Sequence, residues 1–182
     1  MKGHADVVEL LLSKGASIHD KDDDGYSSII KASIEGHADV VELLLSKGAN
    51  VHDKDNIYGT SSIMRASKAG HADVVELLLS KGASIHDKDI YGYSSIMKAL
   101  KKAVYPGYGN TDMRSYENVV IQLLAHGADT PPIKSYYPPS IKDILQKWPV
   151  FMGILALQGL SLYYILDAST IIDLYQYLGE KQ

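Results

Sequence analysis

The chain has 182 residues, 46% of them hydrophobic and 22% charged, a balance typical of a folded chain rather than a disordered one. Its formal net charge of -4 gives no general attraction to phosphate backbones or anionic membranes, so neither nucleic acid nor a membrane surface is an expected partner. It contains no cysteine, which excludes disulfide frameworks, thiolate catalysis and cysteine metal sites together.

Met1-Lys2-Gly3-His4 lacks the apolar run of a secretory leader, and an intracellular, cytoplasmic setting is the expectation. The first element follows at once. Gly3–Ala16 reads G-H-A-D-V-V-E-L-L-L-S-K-G-A and returns unchanged at Gly36–Ala49 and Gly70–Ala83, 33 and then 34 residues on, because one residue is inserted near Asn56. A divergent fourth copy, R-S-Y-E-N-V-V-I-Q-L-L-A-H-G-A, ends at Ala128. Self-similarity at this period means stacked units rather than one conventional core.

Within the second copy, Ala38–Ser46 is expected to be a helix. Val40, Val41, Leu43, Leu44 and Leu45 cover a broad apolar face, and Asp39, Glu42 and Ser46 form a polar stripe. Gly48 supplies the left-handed residue that stops it. So wide an apolar face needs neighbours on more than one side. Between copies lies an Asp- and Gly-rich stretch, N-V-H-D-K-D-N-I-Y-G-T after Ala49, which reads as an exposed finger. A shorter helix, S-S-I-M-R-A-S, follows, with Ser61 placed as its N-cap and Ile63, Met64, Ala66 and Ser67 on a small packed face. Each unit is then finger, short helix, Gly turn and longer helix.

This order, with G-H-x-x-V-V-x-L-L-L-x-x-G-A at its centre, resembles the ankyrin repeat over roughly residues 1–130. The resemblance implies an all-α solenoid of helix-turn-helix units with protruding fingers, and a non-enzymatic role in protein–protein interaction. The family's usual T-P-L-H is replaced by Ser27-Ser28-Ile29-Ile30, Ser61-Ser62-Ile63-Met64 and Ser94-Ser95-Ile96-Met97. The inter-unit hydrogen bonds of that His are therefore in doubt, with apolar contact by Ile30, Met64 or Met97 as the expected substitute. The first unit begins at its second helix, leaving Val8, Leu11 and Leu12 without a partner helix on one side; the alternatives are a fragment of a longer array, or a helix that frays or self-associates. The fourth unit carries an insertion at 103–114 between its helices.

The domain reading is an array over 1–130, a connector at 131–139 and a helical segment at 140–182. Thr130–Pro139 holds four of the six prolines and should be extended. Helices are expected over Ser140–Lys147, from about Pro149 to Leu166, and over Ser169–Leu178. The preferred role for this segment is a helical cap on the open end of the array. Trp148 to Leu166 carries no charged residue, so a membrane tether is an alternative, opposed by its Gly, Gln and paired Tyr and by the lack of a basic flank. A second alternative is an adaptor role. Some ankyrin arrays end in short helical boxes that recruit ubiquitin ligases, but no box motif of that kind is present.

No cofactor or metal is expected. His19, His52 and His86 recur in successive fingers, and His4, His37 and His71 at the helix joints. Equivalent positions in stacked helices lie about 8–10 Å apart, too far to share an ion whose ligands sit about 2 Å away. No nucleophile elbow or P-loop is present, so no enzyme is expected.

The copies disagree in the fingers and short helices, and there a protein partner of unknown identity is expected to bind. The expected contacts are Asp23, Asp24, Tyr26 and Lys31 in the first unit, then Ile57, Tyr58, Thr60, Arg65 and Lys68. Ile90, Tyr91, Tyr93, Lys98 and Lys101 follow, with Tyr105 and Tyr108 extending the grip from the insertion. Charge on this face runs from acidic in the first finger to basic on the third short helix, which would orient a partner.

Overall fold

Three copies of one nine-residue helix and a fourth, longer helix form one row of the structure. The computed structural model of the chain describes residues 4–104 and 112–157, with 150–157 described as backbone only. The long helices are α1 (Ala5–Ser13), α3 (Ala38–Ser46), α5 (Ala72–Ser80) and α7 (Met113–Ala125). The short helices α2 (Ser28–Glu35), α4 (Ser62–Ala69) and α6 (Ser95–Val104) make a second row, and α8 (Pro139–Leu157) follows the array. Within a row each helix packs on the next, and across rows α2 packs on α3, α4 on α5 and α6 on α7. One continuous core results, from Ile29, Val41 and Leu44 through Ile63, Val75 and Leu78 to Val120 and Leu123.

The long helices end alike. Ala49 N donates to Leu44 O at 2.9 Å and Gly48 N to Leu45 O at 3.1 Å, with Gly48 at φ 96°. These two bonds satisfy carbonyls that the helix end would leave open. Ala16, Ala83 and Ala128 make the same longer bond to Leu11, Leu78 and Leu123.

The short helices depart from expectation at their first residue. Ser27 and Ser61 hold the extended N-cap backbone, but neither side chain makes a capping bond. Their hydroxyls are buried instead, because each short helix starts inside the stack. Of the apolar residues expected to replace the family's His, Ile30 and Met64 are fully buried, whereas Met97 is 37% exposed. Among the described residues no further short helix stacks on α6 to cover Met97.

Helix α8 corrects the expected break at Pro149. The helix runs through that residue from Pro139 to Leu157. An interior proline removes a backbone bond and costs about 3 kcal/mol. Burial of Ile141, Ile144, Leu145 and Trp148, in the core that α7 also lines, offsets that cost. The expected helix at Ser169–Leu178 lies outside the described residues, as does the end of the Trp148–Leu166 stretch. Among the described residues no helix is long and apolar enough to cross a membrane.

Candidate functional site

Each finger is a tight loop closed on an aspartate. In the first, Asp22 Oδ1 accepts the amides of Asp24 at 3.2 Å and Tyr26 at 2.8 Å. In the third, Asp89 Oδ1 accepts those of Tyr91 at 2.9 Å and Tyr93 at 2.8 Å. The second finger has the extra residue, and Asp55 Oδ1 reaches Tyr58 N at 2.7 Å. The other oxygen of each carboxylate binds a cation on the short helix that follows. The pairs are Asp22–Lys31 at 2.7 Å, Asp55–Arg65 at 2.8 Å and Asp89–Lys98 at 2.5 Å. One carboxylate therefore shapes the finger and fastens it to its helix.

The fastening tightens along the array. The Asp22 side chain is 35% exposed, whereas those of Asp55 and Asp89 are fully covered. Burial pushes the Asp55 carboxyl up, but the Tyr58 amide and the Arg65 guanidinium outweigh it and hold its pKa below the ordinary value. The same opposition, with Lys98 and the amides of Tyr93 and Tyr91, depresses Asp89. Asp22 is lowered chiefly by its bond to Lys31.

Neighbouring fingers are also tied to each other. Asn56 N donates to Asp24 O at 3.2 Å and Ile90 N to Tyr58 O at 3.0 Å. Asn56 lies so close over Gly25 that a Cβ there would stand 2.4 Å from its Cγ. Lys54 of the second finger pairs with Asp87 of the third at 2.8 Å. The fingers thus form a continuous ridge held by backbone and charge.

Between this ridge and helices α4 and α6 lies a depression of about 480 Å³. Its lining is Tyr58, Thr60, Arg65, Lys68, Tyr91, Tyr93, Lys98, Lys101 and Lys102. Eight of these nine are among the expected contacts, and Lys102 is the addition. The Lys101 ammonium sits 4.9 Å from the centre of the Tyr93 ring, a distance at which the ring face attracts a cation. The rings of Tyr58 and Tyr91 lie 6.0 Å apart at the rim.

The other expected residues fall into distinct places. Ile57 and Ile90 are exposed beside the rim tyrosines, and Asp23 and Asp24 are exposed on the first finger. Tyr26 is half-buried, its hydroxyl accepting from Arg65 Nη2 at 2.8 Å and its ring beneath the same guanidinium at 5.0 Å. Thr60 needs correction as a contact. It stands at the floor of the depression but is only 1% exposed, being much shorter than the Tyr26 and Tyr93 that follow the glycines of the other fingers. Lys31, Arg65 and Lys98 carry charges already matched by the finger carboxylates, so they hold the surface in shape. Tyr105 and Tyr108 lie outside the described residues.

The finger aspartates were missed in the sequence, although the signal is there. Asp22, Asp55 and Asp89 recur with the repeat, each nine or ten residues before a basic residue. Among the described residues no three His, Asp or Glu side chains are gathered as a metal would need.

Residues 1–89 match the family model for ankyrin repeats, in three copies. No curated protein matches the chain. Ankyrin repeats are in general protein–protein interaction modules and typically not enzymes. The matched segment holds the identical helices α1, α3 and α5, the first two fingers and the third as far as Asp89, and the stacking of long helices on short ones continues beyond it through α7. Residues 1–89 of the chain are ankyrin repeats.

Proposed function

We propose that the chain binds a protein partner on the face shared by its second and third fingers and helices α4 and α6. The observation that carries this reading is the apolar rim of the depression. Ile57 and Tyr58 are 43% and 39% exposed, and Ile90 and Tyr91 are both 66% exposed, on adjacent fingertips. Large apolar side chains held in water are unfavourable unless something covers them, and aromatic residues beside a concavity are frequent anchors of binding energy. The ridge is fixed in advance by the finger aspartates and the bonds between fingers, so little backbone freedom would be lost on binding.

A double variant, Tyr58→Ala with Tyr91→Ala, tests this. Both side chains lie outside the core, so the variant should melt like the parent. A partner isolated with the parent chain should bind it at least about tenfold more weakly, since one buried aromatic anchor is commonly worth 2 kcal/mol or more. Unchanged affinity would sink the assignment.

A further inference from the structure

We infer that the depression between the second and third fingers and helices α4 and α6 receives an acidic side chain from the bound protein segment, with Lys68 and Lys101 as its charge partners. This rests on the reading that the partner binds on this face, and it adds the chemistry that the partner must present.

Charge matching leads to it. Arg65 and Lys98 line the depression, and each is held by a fully covered carboxylate, Asp55 or Asp89. Those two cations are neutralised from within. Lys68 and Lys101 line the same space, and among the described residues neither has a carboxylate within ion-pair distance. Lys102 also lines the wall. The depression is therefore positive after its internal pairs are counted, on a chain whose net charge is -4. Local charge opposite in sign to the whole chain is not explained by composition.

The lysines are also placed. The Tyr93 ring faces Lys101, and Tyr116 donates to the Lys68 carbonyl at 3.3 Å, fixing the backbone that carries it. Partial desolvation, then Arg65, Lys98, Lys102 and Lys101, lower the Lys68 pKa, so its charged form is disfavoured in the free protein. An incoming carboxylate would relieve that repulsion, so binding gains more here than at an isolated surface lysine. A depression of about 480 Å³ holds a Glu or Asp side chain with part of its backbone, since a water occupies only about 30 Å³. The tyrosine walls would exclude solvent from the contact and strengthen it.

The test uses the full chain and three fluorescent peptides of equal length: one with several Glu, its Gln counterpart, and the Gln peptide bearing one phosphoserine. The Glu peptide should bind about tenfold more tightly than the Gln peptide at low salt, and the preference should shrink as salt rises. Lys68→Gln with Lys101→Gln should abolish the preference without lowering the melting temperature, whereas Lys68→Arg with Lys101→Arg should keep it. No preference for Glu, or a preference that survives the Gln pair, overturns the proposal. Binding of the phosphorylated peptide alone overturns it in favour of a phosphate site. The two readings can fail separately. A partner that is lost with the Tyr58 and Tyr91 variant but kept by the Gln pair leaves the face in place and removes the acidic anchor. A partner kept by both variants removes the face itself.

Discussion

The hydroxyl of Tyr116 donates to the main-chain carbonyl of Lys68 at 3.3 Å, and its ring closes over Gly70, where a Cβ would stand 3.2 Å from Cζ. One unit earlier, His71 Nε2 bonds the carbonyl of Ile34 at 3.0 Å and its ring lies over Gly36. A carbonyl can only accept, so that imidazole nitrogen carries its proton. Tyr116 occupies the fourth copy's equivalent of His71 and does the same work with a different donor. The bonds between units that the loss of T-P-L-H put in doubt are supplied here by the residue at the helix joint.

Replacing Tyr116 should separate packing from hydrogen bonding. Tyr116→Phe removes only the hydroxyl and should cost about 1 kcal/mol. Tyr116→Ala empties a core position that is 1% exposed and should cost about 3–5 kcal/mol. Tyr116→His restores the residue of the other copies and should fall between the two. Urea denaturation of the four proteins, with the slopes checked for constancy, measures the order.

The finger aspartates set the acid response. In Asp22, Asp55, Asp87 and Asp89 the folded pKa lies below the ordinary 3.8. The unfolded chain therefore takes up protons first as pH falls. The stability these groups contribute is complete above the ordinary value and is lost as pH falls through their folded values. The melting temperature should hold nearly level from pH 7 to about 5 and drop below about 4. Asp55→Asn should flatten that drop and cost about 2 kcal/mol at neutral pH, because Arg65 is left half-matched in a covered site. Melting curves across the pH range check both effects.

Arg65 should matter for shape rather than contact. Arg65→Ala leaves the fully covered Asp55 side chain without its cation and releases the Tyr26 ring stacked on it. A loss of about 3 kcal/mol is expected, as for other one-sided breaks of covered ion pairs. Lys68→Gln should show the opposite sign. Its charge is disfavoured by its neighbours, so the variant should melt at the same temperature or slightly higher, most clearly at low salt. A loss of stability in Lys68→Gln would contradict the charge accounting of the depression.

Hydrogen exchange should distinguish the three identical helices. Helix α1 has no buried residue, and its Val7, Leu10 and Leu11 are 47%, 57% and 54% exposed. Amides in α1 should exchange orders of magnitude faster than the matching amides of α5, with α3 between, because opening α1 exposes little new apolar surface. Equal protection in dilute solution would mean that α1 is covered there, and concentration dependence of its protection would identify a second copy as the cover.

Much of this fold can be read from the chain because it is written several times. The period, the Gly48-type stops and the apolar faces of Val40, Val41 and Leu44 each follow from local pattern. The tips Ile57, Tyr58, Ile90 and Tyr91 were also legible, since exposed apolar residues at variable positions stand out against constant ones. The pairing of Asp22, Asp55 and Asp89 with Lys31, Arg65 and Lys98 was not. It depends on where each finger folds back over its helix, and the same acidic residues read equally well as solvated turns.

The sequence A-D-V-V-E-L-L-L-S occurs three times and forms three helices of identical length. That much the sequence determined by itself, through helical periodicity and the glycine that follows. Which of those residues are buried was decided by their neighbours in the stack, and of this the chain showed only the shortfall at the first copy. Val74, Val75 and Leu78 lie in the core of α5, and Val40, Val41 and Leu44 in that of α3, while no residue of α1 is buried. The reason is that a solenoid helix takes its burial from its neighbours, and a short helix preceding α1 is absent among the described residues.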